Sequence, residues 1–281
     1  MTLLAQITDL HLRPRGLACY RVSDTNMFAE RAVHALLALP QRPDAVIVTG
    51  DLTDRDDPRE YALARTLLGR LPMPVYVLPG NHDSSAGMRQ SLHDFPGIVD
   101  LEPDQGKIHY TVDAGDLRIV GLDTHVPGQP YGELGSAQIS WLDRVLGETE
   151  RPTVIALHHP PAATGITHMD DIGLRDTEAF AAAVSRHAHV QRILCGHVHR
   201  PIVTSFAGTI MTLAPSTAHQ IALDFSPTAP AMFNFEPPAY FLHQLGEGGT
   251  LTTHLAYIEH FPGPHHFFAD DGVTWPGDEG A

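Results

Sequence analysis

The sequence predicts a layered α/β fold, on the strength of two observations. Apolar runs of strand length alternate with segments of helical periodicity. Polar residues follow several of these apolar runs directly, where the carboxyl ends of strands gather ligands in α/β sheets. A chain of 281 residues, 43% of them hydrophobic, is long enough to bury one large core.

The first elements form a βαβαβ pattern. The predicted strands are 3–7, 45–48 and 75–78, and the predicted helices between them are 25–39 and 58–71. The second helix has a clear entry signal, because Asp57 can cap it and Pro58 occupies the first helical position, where a missing N–H costs nothing.

The middle of the chain predicts a hairpin and then a return to alternation. Runs 107–112 and 117–122 flank a turn sequence, Asp113-Ala-Gly-Asp116, and are expected to pair. The elements expected after them are a helix at 137–146, a strand at 153–157, a helix after a capping Asp176 and a strand at 191–195.

The character of the sequence changes after Pro215. Residues 226–238 are rich in Pro, Phe and Ala, two strand-like runs follow at 240–244 and 251–257, and an irregular tail is expected over 261–281. We predict a core over 1–215 and a C-terminal region over 216–281 that holds strands and a cap or oligomerisation segment. The Met and Phe residues of 232–235 suit either a partner face or a packed loop, and we expect a homo-oligomer.

Composition narrows the function classes. The net charge is −15 and no Lys/Arg-rich run is present, so long DNA or RNA is not an expected partner. The start of the chain does not resemble an export signal and no apolar stretch approaches membrane-span length, so we expect a cytoplasmic protein without a membrane partner. Cys19 and Cys195 lack CxxC spacing, which argues against a disulfide framework or a thiolate zinc site.

Several clusters of metal-binding residue types stand at predicted strand ends. They are Asp9-Leu-His11, Gly50-Asp51, Gly80-Asn-His-Asp83, His158-His-Pro160 and Gly196-His-Val-His199. Each alone is more often a solvated loop, but their joint occurrence along one sheet edge predicts a metal centre. The glycines at 50, 80 and 196 would permit the close backbone approach that such a centre needs. The 19 histidines of the chain agree with this interpretation.

These motifs resemble those of the calcineurin-like metallophosphoesterase superfamily, D-x-H, G-D, G-N-H-D/E, H and G-H-x-H, over residues 9–199. The resemblance implies a four-layer αββα sandwich of two mixed sheets flanked by helices, with a C-terminal cap element. It also implies a hydrolase that uses two divalent cations, Mn, Fe, Zn or Co, to activate water against a phosphate ester.

The resemblance implies a role for each matching residue. One metal would be held by Asp9, His11 and His199, the other by Asn81, His158 and His197, and both by a bridging Asp51. His82, and Asn81 beside it, would contact the phosphate, and His82 would assist the leaving alkoxide. Asp51 and His82 are thus the expected catalytic residues.

Within this superfamily the sequence is most similar to class III cyclic nucleotide phosphodiesterases and bacterial glycerophosphodiesterases, through 13–20, 158–161 and 216–220. A glycerophosphodiester-like substrate is expected, and a 3′,5′-cyclic nucleotide is the alternative. Tyr20 and His219 resemble positions that border the substrate pocket. A catalytically silent binding scaffold and a nuclease are the remaining alternatives.

The sequence suggests roles for three further residues. Asp83 could orient a ligand or cap a helix, and His159 could orient the neighbouring loop or pack as a polar side chain. Cys195 is expected to be a buried small hydrophobe.

Overall fold

The computed structural model describes residues 1–99 and 106–267, which form two β-sheets, a short β-ribbon and helices. The strands are β1 (Thr2–Ile7), β2 (Ala45–Val48), β3 (Val75–Val77), β4 (Tyr110–Ala114), β5 (Leu117–Gly121), β6 (Thr153–Ala156), β7 (Val190–Cys195), β8 (Ile202–Phe206), β9 (Thr209–Leu213), β10 (Gln220–Ile221), β11 (Phe233–Asn234), β12 (Ala239–Leu245) and β13 (Leu251–Tyr257). The helices are α1 (Thr25–Leu37), α2 (Pro58–Leu68), α3 (Ser85–Ser91), α4 (Ser136–Gly147), α5 (Thr167–Asp170) and α6 (Thr177–Val184).

Both sheets are mixed. The first has the order β13-β12-β1-β2-β3, in which β1, β2 and β3 run parallel and β12 pairs antiparallel with β1. The second has the order β4-β5-β6-β7-β9-β8, with a parallel centre and antiparallel strands at both edges. The central parallel strands β2 and β6 are buried throughout, as expected for strands covered on both faces.

Helices cover the outer faces of the two sheets. The apolar side of α1, which includes Ala29, Val33 and Leu36, belongs to the same buried core as β1 and β2. On the other side, Leu142 of α4 and Phe180 of α6 share a second core cluster with β6 and β7. This arrangement confirms the four-layer αββα sandwich with two mixed sheets.

Most predicted elements are present within a few residues of their expected bounds, but several short ones were missed. Asp57 caps α2 by accepting a hydrogen bond from Arg59 N, as predicted. Asp176 stands at the start of α6 without a side-chain cap bond, which corrects the expected capping role. Its carboxylate instead accepts from the N–H groups of Leu134 and Gly135, and so ties down the chain that enters α4. The sequence interpretation did not include α3, α5, β8, β9, β10 or β11.

The C-terminal strands complete the first sheet. β12 pairs with β1 from Thr2 with Leu245 to Gln6 with Phe241, and β13 then pairs with β12. Between the second sheet and β12, the β10–β11 ribbon forms a separate small unit. The division at residue 215 stays a prediction, and the part of the expected irregular tail over 268–281 lies outside the described residues.

A buried polar network joins the two sheets beneath their carboxyl ends. Gln6 of β1 donates through Nε2 to Thr49 Oγ1 and to the carbonyl of Cys195, both at 3.0 Å. His243 of β12 lies 3.0 Å from Gln6 Oε1 and 2.8 Å from Thr253 Oγ1 through its two ring nitrogens. These bonds fix β1 relative to both β12 and β7.

In the described part of the chain, no helix has both the length and the apolar character that a membrane crossing needs.

Candidate metal centre and active site

The carboxyl ends of strands from both sheets meet at one edge of the sandwich. Asp9 and His11 follow β1, Asp51 follows β2, and Asn81 and His82 follow β3 in the first sheet. His158 follows β6 and the pair His197 and His199 follows β7 in the second sheet. All but Asn81 and His82 are buried. The structure therefore brings together every side chain that the sequence motifs predict as a ligand.

The backbone at this edge is strained at the predicted ligands. Positive φ angles, which non-glycine residues rarely adopt, occur at Asp9 (54°), His11 (43°), Asp51 (51°), His197 (71°) and His199 (51°). Such conformations persist only where the surrounding structure over-determines them, and they concentrate at functional sites. The loops are thus shaped to direct side chains inward.

The three glycines of the motifs make close approach possible. A Cβ at Gly80 would overlap the Asp51 carboxylate, and a Cβ at Gly50 would overlap the imidazole of His158. At Gly196 a Cβ would lie 2.9 Å from Thr49 O and 3.0 Å from Asp9 Oδ2. The predicted need for glycine at these positions is a steric requirement of the site.

One group of donors centres on His11 and His199. Their Nε2 atoms are 3.1 Å apart, and His199 Nε2 lies 3.3 Å from Asp9 Oδ1. Asp51 Oδ2 lies 3.6 Å from His11 Nε2. His219 belongs to the same compact group of potential ligand atoms.

A second group centres on His158. Its Nε2 lies 3.2 Å from Asn81 Oδ1 and 3.4 Å from Asp51 Oδ2. The ring of His197 is 5.0 Å from that of His158, centroid to centroid. Asp51 therefore approaches both groups through the same carboxylate oxygen, Oδ2, and could be shared between them.

The donor set fits divalent cations. His197 Nε2 is buried and has no hydrogen-bond partner among the described residues. Such a buried nitrogen is unfavourable unless a bound cation accepts its lone pair. Burial and the neighbouring His158 lower the pKa of His197 to about 3, so its imidazole is neutral and able to coordinate. Burial opposes the charge on Asp51, but His158 and His82 hold the pKa of this carboxyl well below its usual value. Ionised carboxylates beside neutral imidazoles suit first-row divalent metals.

The Nδ1 atoms of His158 and His199 are held by backbone carbonyls. His158 Nδ1 lies 2.8 Å from Thr49 O, and His199 Nδ1 lies 3.0 Å from His219 O. Because a carbonyl only accepts, both bonds place a proton on Nδ1 and leave Nε2 as the ring nitrogen available to a cation. This is the usual way in which proteins orient ligating histidines.

Asp83 orients the loop that carries Asp51. Its carboxylate accepts from the backbone N–H groups of Leu52, Thr53 and Gly80 and from the Thr53 hydroxyl. The cap of α3 is supplied by Ser84. Of the two roles left open for Asp83, the structure thus favours orientation of the loop.

Asp54 is a site residue that sequence reasoning missed. Its Oδ2 lies 3.0 Å from Arg13 Nη1, its Oδ1 lies 3.7 Å from His11 Nδ1, and its carbonyl oxygen lies 2.8 Å from His82 Nδ1. Burial opposes its charge, yet His11 and Cys19 keep the pKa of Asp54 below its usual value. Its position three residues after Asp51, in the same loop, was the available signal.

His82 stands at the edge of the site with a fixed ring. Its backbone N–H donates to Asp51 Oδ1 at 2.9 Å, and its Nδ1 donates to the Asp54 carbonyl. Burial lowers the pKa of His82, whereas the Asp51 and Asp54 carboxylates raise it. The resulting pKa of His82 lies above the ordinary value for histidine. A protonated Nε2 is therefore favoured at this position.

The surroundings of His159 and Cys195 indicate what these two residues do. His159 is buried, with Nδ1 2.7 Å from Thr124 Oγ1 and Nε2 3.2 Å from Pro130 O, so both ring nitrogens hold a neighbouring loop. Its exclusion from the predicted ligand set agrees with these contacts. Cys195 is a fully buried free thiol, as predicted.

A cavity of about 380 Å³ opens above the candidate metal residues. Tyr20 and His219, the predicted border of the substrate pocket, both line it, as do Asn81 and His82. The Tyr20 ring lies 5.4 Å from the His219 ring, centroid to centroid, in a T-shaped arrangement. Phe233 of the β10–β11 ribbon lies 5.3 Å from Tyr20, so aromatic rings form one wall.

Comparison with known proteins places this geometry in a family. Residues 2–201 match the model of the calcineurin-like phosphoesterases. A probable glycerophosphodiester phosphodiesterase of Arcobacter nitrofigilis is 33% identical over 272 residues, which span 96% of this chain and 98% of that relative. A probable cyclic nucleotide phosphodiesterase of Synechococcus sp. is 33% identical over 258 residues, covering 91% and 96% of the two chains.

The fold has a solved counterpart. A dimetal phosphatase from Danio rerio superposes with a TM-score of 0.65 at 16% sequence identity, covering 92% of this chain and 99% of that one. Two mixed sheets, a shared aspartate between two donor groups and a family match over most of the chain agree with one another. The chain belongs to the calcineurin-like phosphoesterases and is a metal-dependent phosphodiesterase of that family.

Proposed function

We propose that this protein hydrolyses small phosphodiesters to a monoester and an alcohol. The observation that carries the proposal is the pair of buried donor groups that share Asp51 at the floor of a cavity of about 380 Å³. A volume of this size suits a small molecule rather than a polymer. The net charge of −15 likewise disfavours a nucleic-acid strand.

The proposed ligands are those that the motifs predicted. Asp9, His11 and His199 would hold one divalent cation, and Asn81, His158 and His197 the other, with Asp51 shared. The cations would supply Lewis acidity, lowering the pKa of a water molecule and neutralising charge on the phosphate oxygens. Manganese, iron, zinc and cobalt all suit this mixture of carboxylate, amide and imidazole ligands.

The proposed role of His82 follows from its hydrogen bonds. Since Nδ1 donates to the Asp54 carbonyl, Nε2 is the nitrogen available to the cavity. The two carboxylates that raise its pKa favour the protonated form, which can donate a proton to the departing alkoxide. Asn81 lines the same cavity as His82 and would also contact the phosphate.

The test is turnover by the purified protein loaded with manganese. We expect hydrolysis of bis-(p-nitrophenyl) phosphate, loss of activity on chelation, and recovery when metal is restored. A loaded protein that leaves this diester untouched would overturn the proposal and favour a silent scaffold. A plasmid cleavage assay under the same conditions is expected to show no nuclease activity.

Glycerophosphodiesters are the proposed substrate class. The relative from Arcobacter nitrofigilis, named for this activity, matches 98% of its own length. Cyclic nucleotides are the second candidate, favoured by the wall of Tyr20, His219 and Phe233, which could stack on a base. Comparison of kcat/KM for glycerophosphoethanolamine and 3′,5′-cyclic AMP decides between them.

We also propose a homo-oligomer in the cytoplasm. Leu223, Phe225, Met232 and Phe235 lie in the C-terminal segment around the β10–β11 ribbon and are each more than half exposed. A concentration of apolar side chains of this kind is typical of an interface. Light scattering after size exclusion measures the assembly state, and a monomer at micromolar concentration would contradict it. The cytoplasmic location rests on the two free thiols and is checked by cell fractionation.

A further inference from the structure

Part of the cavity lining is apolar. Its side chains come from α5 and its exit, from β10 and from the ribbon. They are Met169, Ile172, Ile221, Ala231, Met232 and Phe233. His168 of α5 also lines the cavity. No sequence motif contains this histidine.

His168 has an unsatisfied ring. Nδ1 and Nε2 are both buried, and neither has a hydrogen-bond partner among the described residues. A neutral imidazole carries one N–H donor and one lone pair, and leaving such groups buried without partners is unfavourable. A polar group left in this state calls for a partner that the protein chain does not supply.

The position of His168 is fixed by its surroundings. Asp170 accepts from Thr164 N and from the Thr164 hydroxyl, both at 2.7 Å, and from Gly165 N at 2.9 Å. The flanking Ile166 and Met169 are buried in the core of the second sheet. The turn that carries His168 is therefore held on both sides of this residue.

We propose that His168 determines specificity by hydrogen bonding to a polar group on an alcohol of the diester. This rests on the proposed phosphodiesterase activity and adds the substrate feature that the apolar wall alone would not select. One donor and one acceptor on the same ring match a hydroxyl substituent, which can both donate and accept. An alcohol without such a substituent leaves the ring unsatisfied, so the site discriminates against it.

The experiment compares two diesters in the manganese-loaded protein. Glycerophosphoethanolamine carries hydrogen-bonding groups on both of its alcohols, whereas ethyl phenyl phosphate carries none. His168→Leu keeps the wall apolar and should raise KM for glycerophosphoethanolamine about tenfold while kcat changes less than about threefold, because a binding contact is lost. For ethyl phenyl phosphate both constants should stay within about threefold of the wild type.

Polar replacements identify the nitrogen that acts. His168→Asn retains a polar atom near the position of Nδ1 and His168→Gln near that of Nε2, and one of them should restore KM for glycerophosphoethanolamine. His34→Leu, on the exposed face of α1, is the matched histidine substitution outside the cavity and should change neither substrate.

Each contrary result has a distinct meaning. Equal losses on both substrates, or no loss on either, would show that His168 is structural and overturn the inference. If the wild-type protein hydrolyses ethyl phenyl phosphate but not glycerophosphoethanolamine, the phosphodiesterase proposal stands and the inference about His168 is overturned. Inactivity toward both would remove the proposed function and this inference with it.

Discussion

Asp51 is the residue through which the two donor groups meet. Its Oδ2 lies within 3.6 Å of His11 Nε2 and within 3.4 Å of His158 Nε2, while its Oδ1 accepts from the N–H of His82. No other described side chain approaches one histidine from each sheet and also fixes the backbone of the proposed acid. Its removal should therefore affect metal binding, whereas removal of His82 should affect turnover alone.

The first prediction separates these two roles. Asp51→Ala should empty both metal positions, and His82→Ala should retain both metals while kcat falls about 10²- to 10⁴-fold, the range for loss of a general acid. Metal content by inductively coupled plasma mass spectrometry and turnover of bis-(p-nitrophenyl) phosphate are the measurements. Two metals bound to the Asp51 variant would contradict the shared-ligand assignment.

The second prediction concerns Gly80. A methyl group there would collide with the Asp51 carboxylate, so Gly80→Ala should lower metal content and activity together. Gly248→Ala is the control, because a Cβ at Gly248 meets nothing within 4 Å. Full metal occupancy in the Gly80→Ala variant would contradict this prediction, because the loop would then have accommodated the methyl group without loss of metal binding.

The candidate ligands could be predicted at this scale, but the residues that serve them could not. Asp9, His11 and Asp51 occupy short, recognisable motifs directly after apolar runs. Asp54 has only its closeness to the Asp51 motif as a local signal, and His168 belongs to no motif, so the roles of both depend on contacts that form in the fold. The tertiary structure is needed to show that Asp54 contacts His11 and His82 and that His168 lines the cavity.

At the scale of elements, β1 is held by a polar network as well as by its ladders. His243 of β12 links Gln6 to Thr253, and Arg192 of β7 donates to the same Thr253 hydroxyl. Burial and the nearby Arg192 charge lower the pKa of His243 to about 3. The network is therefore built around a neutral imidazole.

The third prediction is a pH dependence of stability. The folded pKa of His243 is about 3, whereas an unperturbed histidine has a pKa of about 6.5, so the unfolded chain binds the proton more readily. The contribution of His243 to stability is therefore lost as pH falls from 6.5 toward 3. The free energy of unfolding in urea, measured on chelated protein over this range, should decrease. His243→Gln keeps hydrogen-bonding groups but does not titrate, so its slope should be shallower. An unchanged slope would rule out His243 as a source of the dependence.

The elements differ in how well the sequence predicts them. β1, β2 and α2 carry strong periodicity or capping signals and were predicted closely. β8 was missed because its burial alternates between intermediate and exposed, which leaves no continuous apolar run. The two-residue strands β10 and β11 exist only through their mutual pairing, which local propensity cannot indicate.

At the scale of the whole molecule, the candidate metal centre lies across the junction of the two sheets. Asp9 of the first sheet accepts from the N–H of His197 of the second, and Ser216 Oγ donates to the Asp9 carbonyl at 2.9 Å. Cations bound here would have ligands on both sheets. Metal binding should therefore stabilise the fold as well as enable catalysis.

The fourth prediction is a metal-dependent melting temperature. Manganese at about 100 times its dissociation constant should stabilise the protein by about 2.7 kcal/mol, which corresponds to an increase of about 5–10 °C for a chain of this size. Differential scanning calorimetry with and without metal measures the shift. Asp51→Asn should abolish most of the shift, and Asp116→Asn, an exposed carboxylate in the β4–β5 turn, should retain it. An equal shift in both variants would mean that the stabilising metal binds elsewhere.

The pairing of β1 with β12 has a consequence for how the protein is made. Strand β1 cannot acquire its outer neighbour until more than two hundred further residues have been translated, because Thr2 pairs with Leu245. Until then the open side of β1 can associate with other nascent chains, as unpaired strand edges do. Synthesis of this hydrolase should accordingly depend on chaperones that shield that edge, and activity should appear only after release of the chain.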